Sequence, residues 1–180
     1  MVLFEIKSLC ENSTLLKIYF PELDNIEKTS PMWSLDDGLI LKRFGNRKEP
    51  TIYAAGLIEG MPTGMHFDRM VFDDLVTEDI AGSYDVMEKV KTKFDSAQNL
   101  GTDGGQVRVI GTFYHHNDPY VDIRDRVDEN KVPIYITRKK PATDNGLMNG
   151  SPVFLSEERF RFLKTTKTFN CQQLLYPTPT

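Results

Sequence analysis

The chain has 180 residues, 39% of them hydrophobic and 27% charged, with a net charge of −4. That length and composition describe one folded domain, or one and a fragment, with a real core, and exclude both a disordered chain and a uniformly basic nucleic-acid binder, leaving only local basic patches such as Arg138–Lys140 or Lys164–Lys167. Two cysteines, Cys10 and Cys171, with no C-x-x-C pattern argue against a disulfide framework or zinc knuckle and fit a reducing cytosol. No apolar run is long enough to span a membrane, and the N-terminal residues lack a signal-peptide layout.

Residues 2–20 place Leu3, Ile6, Leu9, Leu15, Leu16, Ile18 and Phe20 at helical spacing in two pieces, broken near Glu11–Ser13 and stopped by Pro21. A loop anchored by Trp33 follows. Residues 38–44 predict a strand, 45–50 a turn and 51–56 a second strand, before a glycine-rich irregular stretch. Residues 67–72 predict a short buried strand. Ser83 is the expected N-cap of a helix whose apolar face carries Val86, Met87, Val90, Phe94 and Ala97, with its lysines on a solvated face. Residues 99–105 are expected to end that helix, and 106–111 to form another strand. Residues 122–131 are charged and read as loop or helix end. A strand at 132–137 with Pro133 at its start, a loop at 138–152 and a short helix at 156–165 capped by Ser156 complete the chain before a linker-like tail at 176–180.

Residues 67–111 thus read strand–helix–strand, which makes the two strands parallel and puts their C-terminal ends on one edge. Open α/β sheets bind ligands at that edge. Asp73 and Asp74 follow the first strand there, and Thr112 to Asp118 follow the second.

An apolar strand ending in two acids has the layout of a Walker B element. One carboxylate holds Mg²⁺ and the other orients or deprotonates the attacking water. Taken alone, the same letters also describe two solvated acids at an ordinary loop. In TFYHHND, Thr112 holds the place where a polar residue can sense the γ-phosphate. His115, His116 and Asp118 are residue types that ligate divalent metals, and also residue types of a plain surface turn. None of the 12 glycines is followed by Lys, so there is no Walker A motif, and neither G-x-G-x-x-G after a strand nor G-x-S-x-G occurs.

The stretch TIYAAGLIEGMPTGMHFDRMVFDDLVTEDIAGS, followed by VRVIGTFYHHNDPY, resembles the ATPase domain of the large terminase subunit of tailed phages. In that family a glycine-containing loop precedes a strand ending in DD or DE, and a later strand leads to a GT-containing polar motif. SEERFRFLKTTKTFNCQQLLYPTP is similar to the segment that closes the domain. The resemblance implies an α/β fold: a partial P-loop NTPase-type core of the additional-strand class, with a parallel sheet flanked by helices over residues 1–175. It implies a DNA-packaging motor that hydrolyses ATP with Mg²⁺. By matched position Asp73 is the Mg²⁺ carboxylate and Asp74 the catalytic one, Thr112 lies in the coupling motif, and His115, His116 and Asp118 lie just beyond it. The implied partners are viral double-stranded DNA, the portal ring, the small terminase subunit and sibling subunits, in the host cytoplasm. The family's Walker A and nuclease carboxylates have no counterpart here, so the resemblance is to the second half of an ATPase domain. Two rival expectations stand beside it. One is a free-standing metal-dependent nuclease or phosphodiesterase using Asp73, Asp74, His115, His116 and Asp118. The other is a non-catalytic interaction module or remnant.

Overall fold

The computed structural model describes residues 2–176. It is a mixed α/β chain that divides into two compact units, Met1–Phe67 and Asp68–Thr180. Residues 177–180 of the expected linker-like tail lie outside the described residues.

The first unit opens with α1 (Val2–Asn12) and α2 (Thr14–Tyr19). The expected break falls between them because the Ser13 side chain accepts from the Leu16 N–H and starts a new helix. Pro21 enters a short 3₁₀ turn, Pro21–Leu23, and α3 (Ile26–Thr29) follows. Leu3, Cys10, Leu23, Ile26 and Leu39 form the buried set of this unit. β1 (Trp33–Ser34) and β2 (Gly38–Leu39) make a minimal antiparallel pair.

The two strands expected at 38–44 and 51–56 shrink to this β2 and a single bridge between Leu39 and Ile52. Beyond that bridge, side chains replace the ladder. The Leu41 N–H donates to Thr51 Oγ1 at 3.0 Å, and the Arg43 guanidinium donates to the carbonyls of Glu49 and Arg47.

The second unit is built on two strands, β3 (Phe67–Asp73, its first residue at the unit boundary) and β4 (Gly101–Ile110), with α4 (Glu78–Ala81), α5 (Tyr84–Ala97) and a 3₁₀ turn, Gln98–Leu100, between them. They pair in parallel: Thr102 Oγ1 donates to Asp68 Oδ1 at the start, and the Asp74 N–H donates to the Ile110 carbonyl at the end. The crossover helix makes this possible, since parallel neighbours cannot be joined by a tight turn. β4 begins five residues earlier than expected, in the glycine-rich stretch that the sequence assigned to a loop. Gly105 is needed there, because a Cβ at that position would collide with the Thr102 carbonyl.

α5 buries Met87, Val90, Phe94 and Ala97 of the expected apolar face, while Val86 is half-buried and Ser83 stands at the N-cap without a side-chain hydrogen bond. Phe94 meets Phe72 of β3 edge-on, with ring centroids 4.8 Å apart. Lys91 departs from the expected solvated face. It is ion-paired with Glu88 and Asp122 at 2.9 and 2.8 Å. Desolvation pulls its ammonium down, but the hydrogen bonds and charges of Asp122 and Glu88 outweigh it and hold the group above its ordinary range.

The strand expected at 132–137 is absent. Only a bridge between Val127 and Pro133 forms, and Ile136 is exposed. Proline contributes no N–H to a ladder, and β-branched residues without a partner strand do not make a sheet. α7 (Glu157–Leu163), capped by Ser156, matches the expected short helix, and α8 (Phe169–Gln172) packs Phe169 on Phe160 at 5.6 Å.

Candidate functional site at the strand exits

β3 delivers Asp73 and Asp74 to the C-terminal edge of the parallel pair. Asp73 is the last strand residue, and both acids are exposed. Asp74 sits in the left-handed region at φ 47°, a conformation that Asp and Asn tolerate better than other side chains. The turn there redirects the chain so that Leu75 and Val76 become buried immediately after two exposed acids. The chain thus re-enters the core right after the two acids, but β3 is not the buried strand expected at 67–72: only Met70 of its seven residues is buried, and Val71 is exposed.

The re-entry is held by a residue the sequence analysis did not select. The Leu75 N–H donates to the Tyr120 hydroxyl at 2.7 Å, and that hydroxyl donates to the Ile110 carbonyl at 3.2 Å. One phenol therefore joins the exit of β3 to the exit of β4. Burial pushes the Tyr120 phenol well above its ordinary range, against the backbone hydrogen bonds of Leu75 and Val76, and Asp118 and Asp74 add to the shift. It is a neutral donor throughout the physiological range. Gly111 lies against it so closely that any Cβ would overlap the hydroxyl and the adjoining ring carbons.

Tyr120 is placed by α6 (Pro119–Asp125), which starts inside the polar stretch after β4 and runs into residues 122–125, read from the sequence as loop or helix end. Asp118 is its N-cap and Pro119 its first residue, the ordinary arrangement for a helix start. The Asp-Pro pair was the available signal. Asp118 is fully buried. Its Oδ1 accepts from the Tyr120 N–H at 3.0 Å and its Oδ2 from the Tyr114 N–H at 3.1 Å. Burial raises its carboxyl above the ordinary value, and those backbone donors only partly oppose the shift.

The other expected residues lie on the same turn. Thr112 and His115 are half-buried and His116 is exposed. His115 Nδ1 accepts from the Asn117 N–H at 3.0 Å, and the two imidazole rings lie 6.4 Å apart. Asn117 also accepts from Lys91 at 3.4 Å, so the turn is tied back to α5.

Among the described residues, no group of three or more His, Cys, Asp or Glu side chains is assembled to hold a metal ion. Asp73 and Asp74 are neighbouring exposed carboxylates, the donor type that Mg²⁺ takes alongside phosphate and water. No helix among the described residues is long and apolar enough to cross a membrane. Comparison of the chain with family models, curated proteins and solved structures returns no match.

Proposed function

We propose that this chain carries the Asp–Asp half of a nucleotide-hydrolysing site, that of the large terminase subunit of a viral DNA-packaging motor. The observation that carries the reading is the parallel β3–β4 pair with Asp73 and Asp74 at its C-terminal edge, hydrogen-bonded through the Asp74 N–H directly to the end of the strand that leads into Thr112. In this reading β4 is the strand next to the acidic one, and the turn after it is the element that senses the nucleotide. A P-loop must come from residues other than these 180, because none of the 12 glycines precedes a lysine.

Mg²⁺ with ATP, when bound, supplies the phosphoanhydride and neutralises the charge that develops on it. Asp73 holds the cation side of the site. Asp74 orients the attacking water and accepts its proton. Its placement on a backbone turn at φ 47°, pinned on one side by Ile110 and followed by the Tyr120 clamp, fixes the carboxylate's origin while leaving it exposed. Thr112 lies one residue beyond Gly111, so a shift in the Thr112 turn acts directly on the tyrosine that braces the Asp74 turn. Viral double-stranded DNA, the portal ring, the small terminase subunit and sibling copies are the partners this reading brings, in the cytoplasm of an infected cell.

The test is calorimetry and phosphate release with Mg-ATP, on this chain and on a version extended through a P-loop encoded upstream. The extended version is expected to bind and hydrolyse, with Asp74→Asn keeping the binding and losing the hydrolysis. Hydrolysis that survives Asp74→Asn overturns the assignment.

A further inference from the structure

We propose that the loop at residues 42–48 of the first unit is a DNA-contact element, its lysines on phosphates and the Phe44 ring against a base or sugar face. The sequence KRFGNRK places four cations in seven residues with no acid, inside a chain of net charge −4. The loop is braced. Arg43 donates from one side of the turn to the Glu49 and Arg47 carbonyls on the other, and Gly45 takes φ 96° at the tip. Lys48 reaches the Gly64 carbonyl at 3.3 Å. Held on this turn, Phe44 is 103% exposed, more than any other large apolar side chain among the described residues.

A single exposed apolar side chain is ordinary; what sets Phe44 apart is that the whole ring stands on a braced basic turn, where a flat ligand face can meet it. The flanking cations narrow the partner. An apolar protein groove would strip water from Lys42 and Lys48 without offering them anionic partners. A single ring offers too little apolar area to anchor on a lipid surface. A nucleic acid strand offers phosphates to the cations and flat faces to the ring. The choice of DNA among nucleic acids rests on the packaging reading.

The experiment measures fluorescence anisotropy of labelled duplex and single-stranded DNA, without ATP, for the wild-type chain, Lys42→Glu/Lys48→Glu and Phe44→Ala. Anionic phospholipid vesicles serve as the competing surface, and circular dichroism checks that these exposed substitutions leave the fold intact. The wild-type chain is expected to bind DNA, more weakly at about 200 mM than at about 50 mM salt. The charge reversal should lower duplex affinity about tenfold or more and flatten the salt dependence. Phe44→Ala should lower single-strand affinity about tenfold and keep the salt slope. Wild-type DNA binding by either variant, no DNA binding by the wild-type chain, or binding to vesicles alone overturns the inference. Because no nucleotide is present, such a failure leaves the ATPase reading standing. Failed hydrolysis with DNA binding retained removes the ATPase reading and leaves the loop.

Discussion

The Tyr120 hydroxyl accepts from the Leu75 backbone N–H at 2.7 Å, across 45 residues of sequence, and donates to the Ile110 carbonyl at 3.2 Å. Tyr120→Phe removes both bonds and changes little else in shape. The buried Leu75 N–H is left unsatisfied, while the Ile110 carbonyl keeps its bond from the Asp74 N–H, and the loss costs about 1–3 kcal/mol. Urea denaturation should show that loss. Hydrogen exchange should localise it, with the Leu75 amide exchanging faster than the amides of α5.

Gly111 faces the same phenol from the other side. Gly111→Ala forces the new methyl into the hydroxyl and into ring carbons. Overpacking of this kind costs about 1–3 kcal/mol. The double substitution Gly111→Ala/Tyr120→Phe should not recover wild-type stability, because the overlap extends to the ring and not only to its oxygen. Recovery by the double variant would mean that the hydroxyl alone makes the contact.

The sequence revealed what depends on local periodicity and missed what depends on distant backbone atoms. The Met87–Ala97 stripe, the break at Ser13 and the Ser156 cap are local signals, and all appear in the fold. So does the parallel pair, because the length of the crossover constrains it. The strands at 38–44, 51–56 and 132–137 had the right residues and no lasting partner. At the site, the acids and the polar turn could be placed from chain order. Tyr120 could not, since its hydroxyl bonds main-chain atoms, those of Leu75 and Ile110 among them, which carry no letter of their own.

Asp74 separates chemistry from folding. At φ 47° an alanine suffers the left-handed penalty of about 1–2 kcal/mol, while asparagine adopts that region readily. Asp74→Asn should therefore unfold at the wild-type urea concentration, and Asp74→Ala at a lower one. Only the asparagine variant is a clean test of the carboxylate in hydrolysis.

Asp118 gives a pH signature. Its folded pKa lies above the ordinary 3.8, chiefly through burial. The folded state thus binds the proton more tightly than the unfolded one. The stability this group contributes is fully present below pH 3.8 and is lost as pH rises through the folded value. Asn at the same place caps α6 and carries no charge to desolvate. The stability of wild type relative to Asp118→Asn should fall as pH rises from about 4 to about 7 in urea titrations. A relative stability that rises with pH would show that the capping bonds to charged Asp118 outweigh its desolvation.

In the first unit the signature has the opposite sign, and it carries its own probe. Trp33 is the only tryptophan of the chain, and its Nε1–H donates to Glu11 Oε1 at 2.8 Å. That bond, with Lys7 3.3 Å from the same oxygen, holds the Glu11 carboxyl below its ordinary 4.5. A depressed acid contributes stability above its unfolded value and loses it as pH falls through the folded one. Trp33 fluorescence should hold steady as the solution is acidified through pH 4.5 and shift only below it, when the carboxylate takes up its proton. Glu11→Gln keeps an oxygen for the indole but removes the charge, so that acid shift should vanish while the neutral-pH spectrum stays close to wild type. An unchanged titration in the glutamine variant would assign the shift to another acid of the same unit.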